Sequence, residues 1–139
     1  MADLSITAAN VLPSTSAITV TGVLHSGVTV TQGQALYQYA DGTIGLADSN
    51  GASPANTFYG IALSAGSPGQ KITIATSDTG GFTFGASVSA GDPIYLSNTP
   101  GALTKTYSDI ASGSTVIVIG GALTSTTINL TPVTYGTKP

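Results

Sequence analysis

His25 is the chain's single histidine, and with six aspartates it makes up nearly all of the side chains that could do acid–base chemistry near neutral pH. A histidine general base needs a substrate pocket and a group that orients the ring. His25 lies between Gly22 and Gly27 with no acid beside it in sequence, and it reads as a surface histidine. Asp41, Asp48, Asp78, Asp92 and Asp109 each neighbour Gly, Ser, Thr, Pro or Asn. In that setting an aspartate serves a turn, through hydrogen bonds to its own backbone. Two of them could form a glycosidase pair, but nothing in the spacing selects one. Asp48-Ser49-Asn50-Gly51 is a fragment of a calcium loop without the further acidic ligands or the closing glutamate. With no cysteine and one histidine, no standard zinc site can be assembled. Serine is abundant, yet Gly-x-Ser-x-Gly is absent, and Gly66-Ser67-Pro68-Gly69 has the wrong spacing. No phosphate-binding loop of the Gly-x4-Gly-Lys-Ser/Thr form occurs. The expectation is a chain without catalytic residues, metal or cofactor, and not an enzyme. The tyrosines at 37, 39, 59, 95, 107 and 135 are suited either to stacking on sugars or to packing at core edges, and packing is the expectation.

The elements that must carry these residues are strands. The chain has 139 residues, long enough for one domain that buries about two-thirds of its unfolded surface. It has neither Glu nor Arg and only three Lys, so the residues that normally surface a helix are nearly missing. Thr, Val, Ile and Tyr are plentiful and are broken by Gly, Asn, Asp and Pro. An apolar fraction of 41% separates it from a disordered Gly/Ser/Thr-rich chain. The net charge of −3, with no basic cluster, excludes nucleic acid as a partner by counterion release. The start Met1-Ala2-Asp3-Leu4 lacks the features of a signal peptide, and the longest apolar run, residues 116–123, is too short to span a membrane. Synthesis in a cytoplasm is expected.

Alternation and turn signals mark many short strands. Residues 17–21 and 28–31 alternate, 35–39 and 43–47 flank the hairpin signal Asp41-Gly42, and 59–63 is an apolar run. Residues 71–76 alternate cleanly, Phe82 and Phe84 alternate, and Gly80-Gly81 reads as a turn. The second half repeats the first at an offset of 56 to 60 residues. Val30-x-x-Gly33-x-x-Leu36-Tyr37 returns as Val88-x-x-Gly91-x-x-Ile94-Tyr95, and Gly60-Ile61-Ala62-Leu63 as Gly120-Gly121-Ala122-Leu123. Lys71-Ile72-Thr73-Ile74 is matched to Thr127-Ile128-Asn129-Leu130. These patterns predict an all-β fold, a small β-sandwich or barrel built from two similar β units with an extended N-terminal arm. The expected boundaries are an arm over residues 1–26 with one or two short strands, a β domain over 27–131 with repeats at about 28–76 and 86–131, and a C-terminal tail over 132–139.

The blocks Gly33-Gln34-Ala35-Leu36-Tyr37 and Tyr59-Gly60-Ile61-Ala62-Leu63 come in an order similar to that of small tailed-phage capsid decoration proteins. The same holds for Val88-Ser89-Ala90-Gly91-Asp92-Pro93-Ile94-Tyr95 with Gly101-Ala102-Leu103-Thr104, and for the closing Ile119-Gly120-Gly121-Ala122-Leu123 and Thr126-Thr127-Ile128-Asn129-Leu130. The resemblance covers residues 28–130. It implies a structural virion protein that binds the outside of an assembled phage capsid, often as a homotrimer, and stabilises it by clamping neighbouring shell subunits. The implied partner is the major capsid protein, and the implied location is the outer capsid surface. Leu4, Ile6, Val11 and Leu12 of the arm are the expected capsid-binding residues, because an extended arm can pair with a sheet edge through its backbone. The rival expectations are a receptor- or glycan-binding head or tail fibre module, and a tail-tube subunit.

Overall fold

The computed structural model describes residues 3–139, and it is nearly all β. The strands are β1 (Val11–Leu12), β2 (Ile18–Val23), β3 (Ala35–Gln38), β4 (Ile44–Leu46), β5 (Gly60–Ala62), β6 (Lys71–Phe84), β7 (Pro93–Leu96), β8 (Leu103–Thr104), β9 (Thr115–Ala122) and β10 (Thr127–Thr137). Single 3-10 turns occupy Ala8–Asn10 and Tyr107–Asp109. All ten strands join one antiparallel sheet that curls into a half-barrel, in the order β4-β3-β5-β6-β10-β9-β7-β8. β1 pairs with the C-terminal end of β6, across it from β10, and β2 with its N-terminal end, across it from β5.

That order reads the same from either end. The first unit, β4-β3-β5-β6, meets the second, β8-β7-β9-β10, at the β6–β10 junction. The registers match as well. Leu36 pairs with Gly60 in the first unit and Ile94 with Gly120 in the second. Tyr37 faces Gly45 across its hairpin, and Tyr95 faces Thr104. Gly33 N donates to Ala62 O, and Gly91 N donates to Ala122 O, both at 2.8 Å. Gly33 and Gly91 hold φ of +96° and +90°, a conformation that costs glycine little and other residues more. Leu63 and Leu123 also correspond, donating to Thr73 O and Thr127 O. Thr73 is therefore the counterpart of Thr127, so the last repeated block is displaced by two residues from the match made on sequence. A two-residue slip keeps every side chain on its face and leaves the alternation pattern unchanged.

The buried side chains form two clusters. The larger takes Tyr37 and Ile61 from the back of the first unit, Phe82 and Phe84 from β6, and Ile94, Leu96, Ile117, Ile119, Ile128 and Leu130 from the second unit. The smaller lies on the other face of the first unit, with Leu24, Val30, Leu36, Ile44, Ile72 and Ile74. The first unit is thus buried on both faces. In the second unit Ile94 and Leu96 face the core, and Tyr95 between them is only half-buried.

Several boundaries differ from those read on sequence. Gly80 and Gly81 lie within β6, and Gly81 (φ +98°) sits where the β6–β10 register shifts. The pair forms an irregularity in a long strand, where a sequence reading sees a turn. Residues 28–31 make no strand; Val30 alone bridges to Gly66 and drops into the smaller cluster. Residues 3–12 lie on the body instead of leaving it, and β2 pairs with β6 from Ile18 to Val23. Most of the expected tail is strand, because β10 runs to Thr137 and pairs there with Thr115 of β9. Pro132 does not interrupt it, since it falls at the register shift between Leu130 and Val133, where no ladder donor is needed.

Candidate functional site

His25 and Asp41 are distant in sequence and meet at the β3–β4 hairpin. His25 N donates to Ile44 O, which lays the segment after β2 against β4. His25 Nδ1 then stands 2.7 Å from Thr43 Oγ1 and 4.0 Å from Asp41 Oδ2. The imidazole stacks on the Tyr39 ring, with centroids 3.8 Å apart. Asp41 Oδ1 accepts from the Thr43 hydroxyl at 2.6 Å and from Thr43 N at 3.0 Å. The Thr43 side-chain hydrogen bond, then the backbone one, hold the Asp41 carboxyl below its ordinary value. This is not a nucleophile–base pair. The single hydroxyl proton goes to the carboxylate, so Nδ1 must donate to the hydroxyl oxygen, whereas activation needs the reverse. The cluster ties a loop to a hairpin.

Asp48 and Asp92 also bond locally. Asp48 Oδ1 accepts from Asn50 N at 3.0 Å, and Asp92 Oδ2 accepts from Ser89 N at 2.9 Å. The calcium-loop fragment is an anchor: buried Ser49 donates to Ser97 O, and Asn98 Nδ2 reaches both Ser49 Oγ and Ser114 Oγ. Among the described residues no three His, Cys, Asp or Glu side chains are grouped to hold a metal ion. No described helix is long and apolar enough to cross a membrane.

The four arm residues separate by burial. Leu4 N donates to Leu103 O at 2.8 Å, and its side chain packs on the larger cluster. Ile6 is half-buried against Gly33 and Gly85. Val11 is 4% exposed and belongs to the core, so it cannot face a partner while β1 is in place. Leu12, its neighbour on β1, is 65% exposed. Successive residues of a strand point to opposite faces, so β1 can offer only one of the two. A two-residue strand shows no alternation until its pairing with Thr83 and Phe84 is known.

Two surface depressions were not legible in the sequence. One, of about 540 Å3, runs beside β1 and is lined by Ser5, Thr7, Asn10, Leu12, Thr83 and Thr126 among others. The other, of about 450 Å3, lies on the back of the second unit. There Tyr95 of β7, Tyr107 and Tyr135 of β10 surround Val116 and Val118 of β9. The Tyr95 and Tyr107 rings are 5.9 Å apart. Lys138 Nζ lies 4.3 Å from the Tyr107 ring centroid and donates to the Tyr107 and Ile110 carbonyls. Tyr135 is 69% exposed. Its place beside Tyr95 depends on the final residues being strand, a pairing that local sequence does not specify. No family model, no curated protein and no solved structure matches this chain.

Proposed function

We propose that this chain is a structural virion protein, not an enzyme, that binds the outside of an assembled phage capsid and clamps neighbouring subunits of the major capsid protein. It would do so from the outer capsid surface, as a homotrimer, after synthesis in the host cytoplasm. The observation that carries this reading is the apolar surface of the N-terminal region. Leu12 stands well exposed at a groove of uncharged hydroxyl and amide groups, and Ile18 is exposed on β2 of the same β body. A protein attached at more than one shell subunit leaves only when all contacts break together. Its binding energy adds to shell stability, because only the assembled lattice offers the site.

The test separates binding from folding. Leu12→Ser and Ile18→Ser should leave the melting temperature close to wild type and reduce occupancy on purified particles. Val11→Ser should lower stability by about 2 kcal/mol through lost burial. Full occupancy by the Leu12→Ser/Ile18→Ser double variant would move the shell contact elsewhere. The three tyrosines around the second groove favour one alternative, a glycan- or receptor-binding module. Under that reading a glycan array gives binding that Tyr135→Ala abolishes, with shell occupancy unchanged.

A further inference from the structure

Asp78 is the one charged side chain with no solvent exposure among the described residues. It sits where β6 changes partners: Leu130 of β10 lies opposite it, and the adjacent Ser77 pairs with Ile18 of β2. Its carboxylate accepts from Ser14 N at 2.7 Å, from the Ser14 hydroxyl, and from Gly80 N at 3.0 Å. Two of these three donors belong to the N-terminal segment. Beyond that point, residues 3–12 are tied by Leu4 N to Leu103 O, Thr7 N to Gly85 O, the two-residue β1 ladder, Gln32 Nε2 to Val11 O, and Asp3 with Ser97, and by the packing of Val11, Leu4 and Ile6 on the larger cluster. β6 meanwhile keeps β5, β2 and β10 whether or not this segment is docked.

We propose that Asp78 is the lock of a releasable N-terminal strap: its carboxylate holds Ser14, and loss of its charge frees residues 3–17 from a body that stays folded. Amide N–H groups only donate, so a protonated carboxyl meets two donors it cannot satisfy with its own O–H. The groups facing the carboxylate are Ser14 from the strap and Gly80 from its own strand, with Leu130 and Ile18 on the flanking strands; none of these titrates. The ion pairs His25–Asp41 and Lys105–Asp92 lie elsewhere. Burial acts to raise the carboxyl, and the Ser14 and Gly80 hydrogen bonds outweigh it, so the group titrates below its ordinary 3.8. The lock therefore holds in full above the unfolded value and is lost as pH falls through the lower folded one.

The test is limited proteolysis of the full chain. Asp78→Asn treated with thermolysin at neutral pH should lose the strap roughly ten-fold faster than wild type, as expected for removing a charge-assisted partner. The remaining fragment should keep its β spectrum and a cooperative melt. Ser14→Ala, which keeps the backbone donor, should fall between the two. Wild type treated with pepsin from pH 5 to 2, normalised to an unstructured peptide, should release the same segment as pH falls, and Asp78→Asn should show no such dependence. Equal cleavage of Asp78→Asn and wild type overturns the proposal. So does digestion of Asp78→Asn throughout with no stable fragment, which would make Asp78 a support of the whole body. Acid release that persists unchanged in Asp78→Asn overturns it as well.

Discussion

Gly120 and Gly121 stand side by side on β9 and answer differently to the same added methyl. A Cβ on Gly120 would overlap the Asn129 carbonyl of β10, and a Cβ on Gly121 would meet nothing within 4 Å. Gly120→Ala should therefore lose about 2 kcal/mol in urea denaturation, as overpacking does, while Gly121→Ala stays within about 0.5 kcal/mol of wild type. Gly60, the counterpart of Gly120, is crowded in the same way by Ala75 O at 2.5 Å. The glycine at the head of each apolar strand was visible in sequence; the neighbouring backbone that demands it was not. Tyr37 carries a second prediction. Burial first, then a hydrogen bond with Tyr39 and its charge, push the Tyr37 hydroxyl well above its ordinary value. The fold thus favours the neutral phenol. Stability from this group is complete below about pH 10 and falls above it, where the unfolded chain ionises first. Tyr37→Phe should lose less stability than wild type between about pH 9 and 11 in matched denaturant titrations.

At the scale of elements, the two ends of the chain differ in what they hold. Residues 3–12 contribute one fully buried side chain, Val11, and two half-buried ones, Leu4 and Ile6. Removing residues 1–12 should leave a folded body less stable by about 2 kcal/mol, since lost burial is partly offset by ordering entropy no longer required. Residues 131–139 look more dispensable in sequence. They supply the ladder beside Thr115, Val116, Ile117 and Val118, and Lys138 N bonds to Ser114 O. Ile117 lies in the larger cluster. A chain ending at residue 130 should lose more stability than one starting at residue 13, measured by thermal melts of the two truncations. Equal losses would mean that β10 beyond Leu130 is an ornament on the sheet.

For the molecule as a whole, surface area bears on assembly. A compact monomer of 13.7 kDa is expected to expose roughly 6,600 Å2. This chain exposes 6149 Å2, and residues 3–12 lie on its own body. The proposed trimer would therefore form by contact between finished surfaces, and dilution should give folded monomers. Sedimentation and circular dichroism on the same dilution series test this; unfolding in step with dissociation would indicate an obligate oligomer. Charge distribution carries the last prediction. Lys105 pairs with Asp92 and Lys138 is held by two carbonyls, which leaves Lys71 as the lysine with least internal engagement among the described residues. Attachment to particles should then change little from dilute buffer to about 1 M salt, where the screening length is roughly 3 Å. Release of most subunits over that range would show that charge holds the clamp.

The sequence by itself determined the fold class, the hairpin at Asp41-Gly42, and the equivalence of Tyr37 and Tyr95. These depend on local signals: alternation, a residue that accepts positive φ, and repeated spacing. Only the tertiary structure decided which face each unit buries. Tyr37 and Tyr95 occupy the same place in their units, yet the back of the first unit is covered by the core of the second, and the back of the second stays open. The same holds for Val11 and Leu12, and for His25 beside Asp41 and Thr43. Side-chain period follows from the chain's own stereochemistry. Burial depends on what another strand brings from far along the chain, and local sequence carries no record of that partner.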